Sequence, residues 1–159
     1  MRIEYLYLPA FGLFTDERIE FPLDKSLHII YGRNEAGKST LLRAVSDALF
    51  GPIRSSGASF RHPPRALRIE AGLRLADGTR LLFRRRSGTP STLRDLEDKP
   101  LDEDILLPFT CGLERSEYEN MFGLDHLRLR EGGQRLLEAG GSLGESLFAA
   151  ASGLHELRR

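Results

Sequence analysis

The feature that most constrains this sequence is an eight-residue pattern, G-x-x-x-x-G-K-S, at residues 32–39. Its two glycines, Gly32 and Gly37, allow the backbone to bend so tightly that successive N–H groups can point at one phosphate group. Lys38 would add a positive charge beside the outer phosphates of a nucleotide, and the Ser39 hydroxyl would bind Mg²⁺. The pattern therefore predicts a nucleotide-binding loop.

The residues on either side of the loop have the character that such a loop requires, which is a strand before it and a helix after it. Residues 27–31 are an apolar run that predicts a short buried strand. Apolar residues recur at helical spacing over residues 40–50, which predicts the helix. A glycine turn that carries Lys-Ser by chance is rare in a chain of this length. The predicted nucleotide-binding residues are Gly32, Arg33, Asn34, Glu35, Ala36, Gly37, Lys38, Ser39 and Thr40.

The composition is that of one ordinary globular domain, with 159 residues, 40% hydrophobic and 29% charged. The formal net charge is zero, which excludes a general attraction to nucleic acid or membranes. The charge is unevenly distributed, however, since residues 54–94 carry ten arginines and two carboxylates, and residues 95–120 carry nine carboxylates and two basic residues. This asymmetry fits a basic binding face, and equally two solvated or mutually complementary surfaces.

Cysteine usage and hydropathy bear on the cellular location. Cys111 is the single cysteine, so no intrachain disulfide can form, which fits a reducing compartment. The first residues lack the apolar run of a signal peptide, and no later run is long enough to span a bilayer. We therefore expect a soluble, cytoplasmic protein without a membrane partner.

Alternating and turn-forming residues predict two hairpins. Residues 3–8 and 18–21 would form the first, with Ile3, Tyr5 and Tyr7 on one face, and residues 67–75 and 80–86 the second, with an Asp-Gly turn. Gly51 and Pro52 should end the helix, and residues 53–65 should form a surface loop. Capping-box patterns at residues 116–119 and 142–145 predict two further helix starts.

The hairpin before the loop and the G-x-N-E-x-G-K-S-T loop resemble the start of SMC and SbcC-type ATPase heads. Residues 121–128, 130–133 and 136–141 resemble more specifically the YhaN family of bacterial SbcC-related proteins, whose ABC-type head is split by a long coiled coil. This resemblance covers nearly the whole chain. It implies an α/β fold of the P-loop NTPase ABC/SMC head type, with residues 1–159 as an N-terminal lobe that has a mixed sheet and antiparallel hairpins.

The resemblance also implies a function, which is binding of ATP and Mg²⁺ as the N-terminal half of a head ATPase in DNA metabolism or repair. The implied partners are the C-terminal lobe of the same protein, a second head, DNA, and a metallophosphoesterase nuclease of the SbcD or YhaO type. In this family the acidic strand and the signature motif that hydrolysis needs lie beyond the coiled coil. We therefore expect this chain alone not to hydrolyse ATP.

Other candidate residues are weaker. Asp125 and His126 stand where related heads carry the glutamine of the Q-loop, although a structural turn explains them equally well. Asp77 ends the nearest match to an acidic strand and is better explained as a hairpin turn. Residues 129–134 imitate the ABC signature, which we interpret as coincidental. Residues 84–86 are three arginines that either contact DNA phosphates or lie on a solvated strand edge.

Two other functions remain open from the sequence. One is a self-contained P-loop kinase or NTPase, which would turn over nucleotide without any other segment. The other is a structural head fragment that holds coiled-coil arms and binds no nucleotide productively. The four histidines and the cysteine have no zinc-binding spacing, and no Ser-His-Asp arrangement is apparent.

Overall fold

The computed structural model describes residues 1–51, 59, 61–88, 91–123 and 129–134. The chain divides into two compact units, Met1–Gly123 and Leu124–Arg159. In the second unit, residues 129–134 are helical. The helix start expected at residues 142–145 lies outside the described residues. No described helix has the length and apolar character needed to cross a bilayer.

Five strands of the first unit form one sheet. They are β1 (Arg2–Phe11), β2 (Phe14–Glu20), β3 (Arg68–Arg74), β4 (Arg80–Arg86) and β5 (Leu93–Arg94). Their spatial order is β2-β1-β3-β4-β5, and every neighbouring pair is antiparallel. Both predicted hairpins are confirmed. The first one turns over only two residues, Gly12 and Leu13, so its strands are longer than the sequence suggested.

The described part of the first unit also contains three α-helices and two single 3₁₀ turns. The helices are α1 (Lys38–Phe50), α2 (Leu107–Thr110) and α3 (Arg115–Met121), and the 3₁₀ turns are Pro64–Ala66 and Glu103–Leu106. The predicted helix after the glycine loop is confirmed as α1, and it ends at Gly51 as expected. Helix α3 begins earlier than predicted, because Glu114 and Glu117 form the capping box.

The core lies between α1 and the inner face of the sheet. Alternation along the strands points every second residue at this core, and the paired positions Leu6, Ala71 and Phe83 show it across three strands. Helix α1 contributes the buried residues Leu41, Ala44, Ala48 and Leu49.

A bulge corrects one detail of the predicted β1. The register between β1 and β3 shifts between Ile3 and Tyr5, so one extra residue changes which way the following side chains point. Ile3 therefore packs against the core, whereas Tyr5 lies on the outer face, where the guanidinium of Arg18 is 3.9 Å from the centre of its ring. The expectation that Ile3, Tyr5 and Tyr7 share one face is wrong.

The strand predicted at residues 27–31 is also wrong for this chain. Leu27, Ile29 and Tyr31 are 73%, 75% and 90% exposed, and the segment forms no strand. The physical reason is pairing, since a strand needs a neighbour for its N–H and C=O groups. Among the residues that the structure describes, the sheet order β2-β1-β3-β4-β5 includes no strand that pairs with residues 27–31. In the described residues the sheet is therefore antiparallel throughout, without the parallel part that a mixed sheet would have.

Candidate nucleotide-binding site

The predicted phosphate loop leads directly into the N-terminus of α1. The helix cap is Gly37, which has φ of 95° and no side chain that could bond to the helix amides. The first turn of α1 also contains no acidic residue. The first amides of a helix have no partner inside the helix, and they carry its positive partial charge. This helix end is therefore open to an anion.

The ammonium group of Lys38 holds the loop in a closed shape. Its Nζ donates hydrogen bonds to the carbonyl oxygens of Gly32, at 2.8 Å, and Arg33, at 2.7 Å. An ammonium has three donors, so one is left for a ligand. Within the loop, Glu35 has a left-handed backbone with φ of 67°. Alternation of left- and right-handed residues turns successive N–H groups to the same side, which forms a concave anion site.

A pocket of about 340 Å³ lies at this loop. This volume is at the lower end of the range typical for small-molecule sites. The pocket brings together most of the predicted nucleotide-binding residues, because its lining consists of Leu13, Asn34, Glu35, Gly37, Lys38, Ser39 and Thr40. Gly32 and Arg33 contribute through their carbonyl oxygens behind Lys38. The Arg33 carbonyl oxygen also accepts a hydrogen bond from the Ala36 N–H at 3.2 Å.

The turn between β1 and β2 forms one wall of the pocket, which the sequence analysis missed. A Cβ atom built on Gly12, which has φ of 61°, would lie 2.4 Å from Thr40 Cγ2. A Cβ atom on Gly37 would lie 2.7 Å from Phe14 and 2.8 Å from Leu13. Turn and loop thus approach each other at two glycines. The sequence spacing of the turn and the loop did not indicate this close approach.

The segment that follows residue 60 holds this turn in place. Arg61 Nη1 donates to the carbonyl oxygen of Leu13 at 2.9 Å. The ring N–H of His62 at Nε2 donates to the carbonyl oxygen of Phe14 at 2.7 Å. The Leu13 carbonyl lies in the two-residue turn, outside the strand ladder, whereas Phe14 is the first residue of β2. Arg61 and His62 therefore fix the wall of the pocket from outside.

Of the remaining candidates, only Asp77 lies within the described residues, and it is not among the residues that line the pocket. Asp125 and His126 lie outside the described residues. Asp77 lies in the turn between β3 and β4, where its carboxylate accepts a hydrogen bond from the Thr79 N–H at 2.8 Å. This bond lowers the pKa of Asp77. The predicted hairpin turn is confirmed. Within the described ranges, no three His, Cys, Asp or Glu side chains are grouped so that they could hold a metal.

The three arginines at residues 84–86 do not act as one surface. Strand β4 lies between β3 and β5, so it is not an edge of the sheet. Arg84 is on the outer face and pairs with Glu70 at 2.6 Å. Arg85 points to the opposite side and is completely buried. Neither interpretation made from the sequence, DNA contact or solvated edge, holds for Arg85.

The fold and the loop together indicate the class of this chain, which is that of P-loop domains with an SMC-type head fold. A family model described as an AAA domain matches residues 1–159. The chain therefore belongs to this AAA domain family.

One curated relative is the uncharacterized protein YhaN of Bacillus subtilis (strain 168), with 26% identity over 136 residues. The match covers 82% of this chain and 14% of YhaN, so the chain spans a small part of this relative. A chain from a structural study of ATP-driven dimerization and DNA-stimulated activation of SMC ATPases is similar with a TM-score of 0.57 and 15% identity. That match covers 92% of this chain and 96% of the other. The chain is thus YhaN-like, and its fold is that of an SMC ATPase head.

Proposed function

We propose that this chain binds Mg-ATP as the N-terminal half of an ABC-type head ATPase that acts in DNA metabolism or repair. The observation that supports this most strongly is the joint geometry of the loop and α1. An uncapped helix N-terminus, a lysine that keeps one donor for a ligand, and a pocket of about 340 Å³ lie at the same place.

Each part of the site has a role in this proposal. The loop and first-turn amides bind the phosphate oxygens, because they are donors that no side chain caps. Lys38 neutralises the outer phosphates through its remaining donor. Ser39 lines the pocket and supplies a hydroxyl ligand for Mg²⁺. These groups bind and orient the nucleotide, but none of them activates the attacking water.

The same proposal holds that the chain is completed by a C-terminal lobe. Residues 27–31 expose apolar side chains and unpaired backbone directly before the loop. Such a segment is suited to pair with strands from elsewhere in the protein. The small share of YhaN that the chain covers is consistent with a larger protein of this kind. The second carboxylate and the water-positioning group needed for hydrolysis would come from that lobe.

Calorimetric titration with Mg-ATP tests the binding proposal. We expect weak binding by the wild type and none by Lys38→Ala, because the terminal phosphates lose their main charge partner. Lys99→Ala is the matched control, since Lys99 is exposed and does not line the pocket, and the affinity of this variant should equal that of the wild type.

Three results would replace this proposal. Equal affinity of the wild type and Lys38→Ala would show that Lys38 does not bind the outer phosphates. No binding by the wild type at millimolar nucleotide would favour the structural head fragment. Turnover by this chain alone would favour the self-contained kinase or NTPase.

We also propose DNA as a ligand of the outer face of the sheet, on the arginine face formed by Arg68, Arg84, Arg86 and Arg94. The register places Arg68 opposite Arg86 and Arg84 opposite Arg94, so all four project to one side. Arg84 and Arg94 have the carboxylate partners Glu70 and Asp98. Partial burial and then the charge of Arg86 lower the pKa of Arg68. A phosphate between these two like charges would relieve their repulsion.

The dependence of DNA binding on salt tests this second proposal. Neutralising Arg68 and Arg86 with glutamine should reduce the slope of log affinity against log salt by about two, since roughly one counterion is released per phosphate contact. Lys25→Gln is the control, because Lys25 is an exposed basic residue of the same unit that is not part of the arginine face. If the protein binds neither duplex nor single-stranded DNA at low salt, the proposal that the arginine face binds DNA is wrong.

The remaining partners are proposed from the family resemblance. They are a second head and a metallophosphoesterase nuclease of the SbcD or YhaO type, in the cytoplasm. The similar SMC ATPase chain comes from a study of ATP-driven dimerization, which supports a head-to-head arrangement for this fold. Size-exclusion chromatography with and without ATP should show a dimer only in the presence of the nucleotide. A monomer under both conditions would contradict the proposed dimer of this chain.

A further inference from the structure

Arg85 is a completely buried charge at the end of α1 that lies farthest from the nucleotide pocket. Its Nε donates to the carbonyl oxygen of Ala48 at 2.9 Å, and its Nη2 is 3.4 Å from the carbonyl oxygen of Leu49. Both carbonyls belong to the last turn of α1, where carbonyls have no partner inside the helix. Arg85 therefore caps the C-terminus of the helix that begins at the phosphate loop.

The other bonds of the same guanidinium tie this helix end to two further elements. Nη1 donates to Thr92 Oγ1 at 3.0 Å, next to β5. Nη1 and Nη2 donate to the two carboxylate oxygens of Glu103 at 2.6 and 2.9 Å. This is the bidentate geometry in which arginine and carboxylate bind most strongly. One side chain thus joins β4, the start of β5, the 3₁₀ turn at Glu103–Leu106 and α1.

The fit around this side chain is close enough to restrict the backbone beside it. A Cβ atom on Gly51, the residue that ends α1, would lie 2.3 Å from Arg85 Nη1 and 2.6 Å from its Cζ. The glycine gives the guanidinium room to reach the helix carbonyls. The position of the helix end is therefore determined by Arg85 together with the missing side chain at Gly51.

We propose that Arg85 is a positioning residue for the phosphate loop, which it directs through α1. A helix of 13 residues is a rod of about 20 Å, so fixing one end in place and direction also fixes the other. The other end carries Lys38 and Ser39. The nucleotide part of this inference rests on the proposed function, whereas the placement of the loop does not.

A purely structural role would not require this chemistry. Burying a guanidinium is costly, and a buried ion pair replaced by apolar residues is often neutral or stabilising. An arginine is needed where several carbonyls and a carboxylate must be held in one fixed geometry. The inference therefore predicts that replacing Arg85 moves the loop, beyond any change in overall stability.

The test compares Arg85→Met, which removes the charge but keeps much of the side-chain length, with Arg80→Met. Arg80 is on the same strand, β4, and is also ion-paired, but its partner is Glu4 on β1 rather than a group at the end of α1. We expect Arg85→Met to shift the amide NMR resonances of Gly37, Ser39 and Thr40 and to weaken Mg-ATP binding roughly tenfold, since small misplacements of binding groups have large effects. Arg80→Met should leave these resonances and the affinity unchanged.

A second pair of variants keeps the inference testable if Arg85→Met does not fold. The side chain of Glu103 is 58% exposed, so the Glu103→Gln variant should fold. The substitution should weaken the hydrogen bonds between Arg85 and residue 103. Glu103→Gln should shift the amide resonances of Gly37, Ser39 and Thr40 by smaller amounts than Arg85→Met does. Arg85→Lys should restore the resonances only in part, because an ammonium cannot make the forked contacts.

The results separate the two claims. Folded Arg85→Met or Glu103→Gln with unchanged loop amides would overturn the positioning role, whatever the affinity. A wild type that binds no ATP would overturn the proposed function, and the loop amides would still decide the role of Arg85.

Discussion

The sheet with α1 and the segment at residues 22–37 differ in how their apolar residues are used. In the sheet, Leu8 and Phe83 are fully buried, and four neighbouring strand pairs satisfy the backbone. In the segment, Leu27, Ile29 and Tyr31 are just as apolar but are exposed to water. The two regions meet at the phosphate loop, which forms the end of this segment and leads into α1.

This difference suggests how the protein divides its tasks. The sheet and α1 bury enough apolar surface to hold the N-terminus of the helix in place. The exposed segment contributes no comparable burial, so the first half of the loop is supported mainly by the hydrogen bonds that Lys38 donates to Gly32 and Arg33. The turn at Gly12 lies against the end of the loop and the start of α1, at Gly37 and Thr40. We infer that one side of the nucleotide site is built within this chain, and that the other side depends on a partner for residues 27–31.

The largest expected difference is between two leucine-to-alanine substitutions, one in the sheet and one in the exposed segment. Leu8→Ala should lower the free energy of unfolding by about 2–5 kcal/mol, because it leaves a cavity in the core. Leu27→Ala should change it by less than about 0.5 kcal/mol, since Leu27 is 73% exposed. Urea denaturation of both variants measures this. A large loss for Leu27→Ala would show that the segment is packed in solution, and the comparison would fail.

An intermediate effect is expected where the two regions touch. Gly12 and Gly78 both have positive φ, at 61° and 91°, so alanine at either position costs about 1–2 kcal/mol of backbone strain. Only at Gly12 would the new Cβ also collide with Thr40, because nothing lies within 4 Å of a Cβ atom at Gly78. Gly12→Ala should therefore destabilise the protein more, and it alone should weaken Mg-ATP binding. Equal ATP affinities of the two variants would show that the turn does not shape the pocket.

Much of the sheet and of the site could be predicted from local patterns. Alternation and the Asp-Gly turn predicted β3 and β4, and helical spacing after the glycines predicted α1. These features depend on interactions between residues close in sequence. The strand expected at residues 27–31 failed because its existence depends on a pairing neighbour that the local pattern cannot reveal.

Arg85 shows a signal that was present in the sequence but not used. Leu81 and Phe83 occupy every second position along β4 and are buried in the core. The same alternation places Arg85 on their side of the sheet. Three consecutive arginines suggested an exposed surface because of their charge. The two-residue period of a strand instead indicates that the middle arginine, Arg85, points into the core. Its carbonyl partners at the end of α1 could not be predicted, because they are about 37 residues away in sequence.

The most direct test of the central claim, that this chain holds one side of a nucleotide site, is phosphate release by the purified 159-residue chain, measured beside Lys38→Ala. At ATP concentrations that saturate binding in calorimetry, we predict that both proteins release phosphate at the same background rate. The described chain provides a phosphate cradle, Lys38 and one hydroxyl for Mg²⁺, but hydrolysis also needs a water-positioning carboxylate. Robust turnover by the wild type that disappears in Lys38→Ala would show that the site is complete, and would contradict the account.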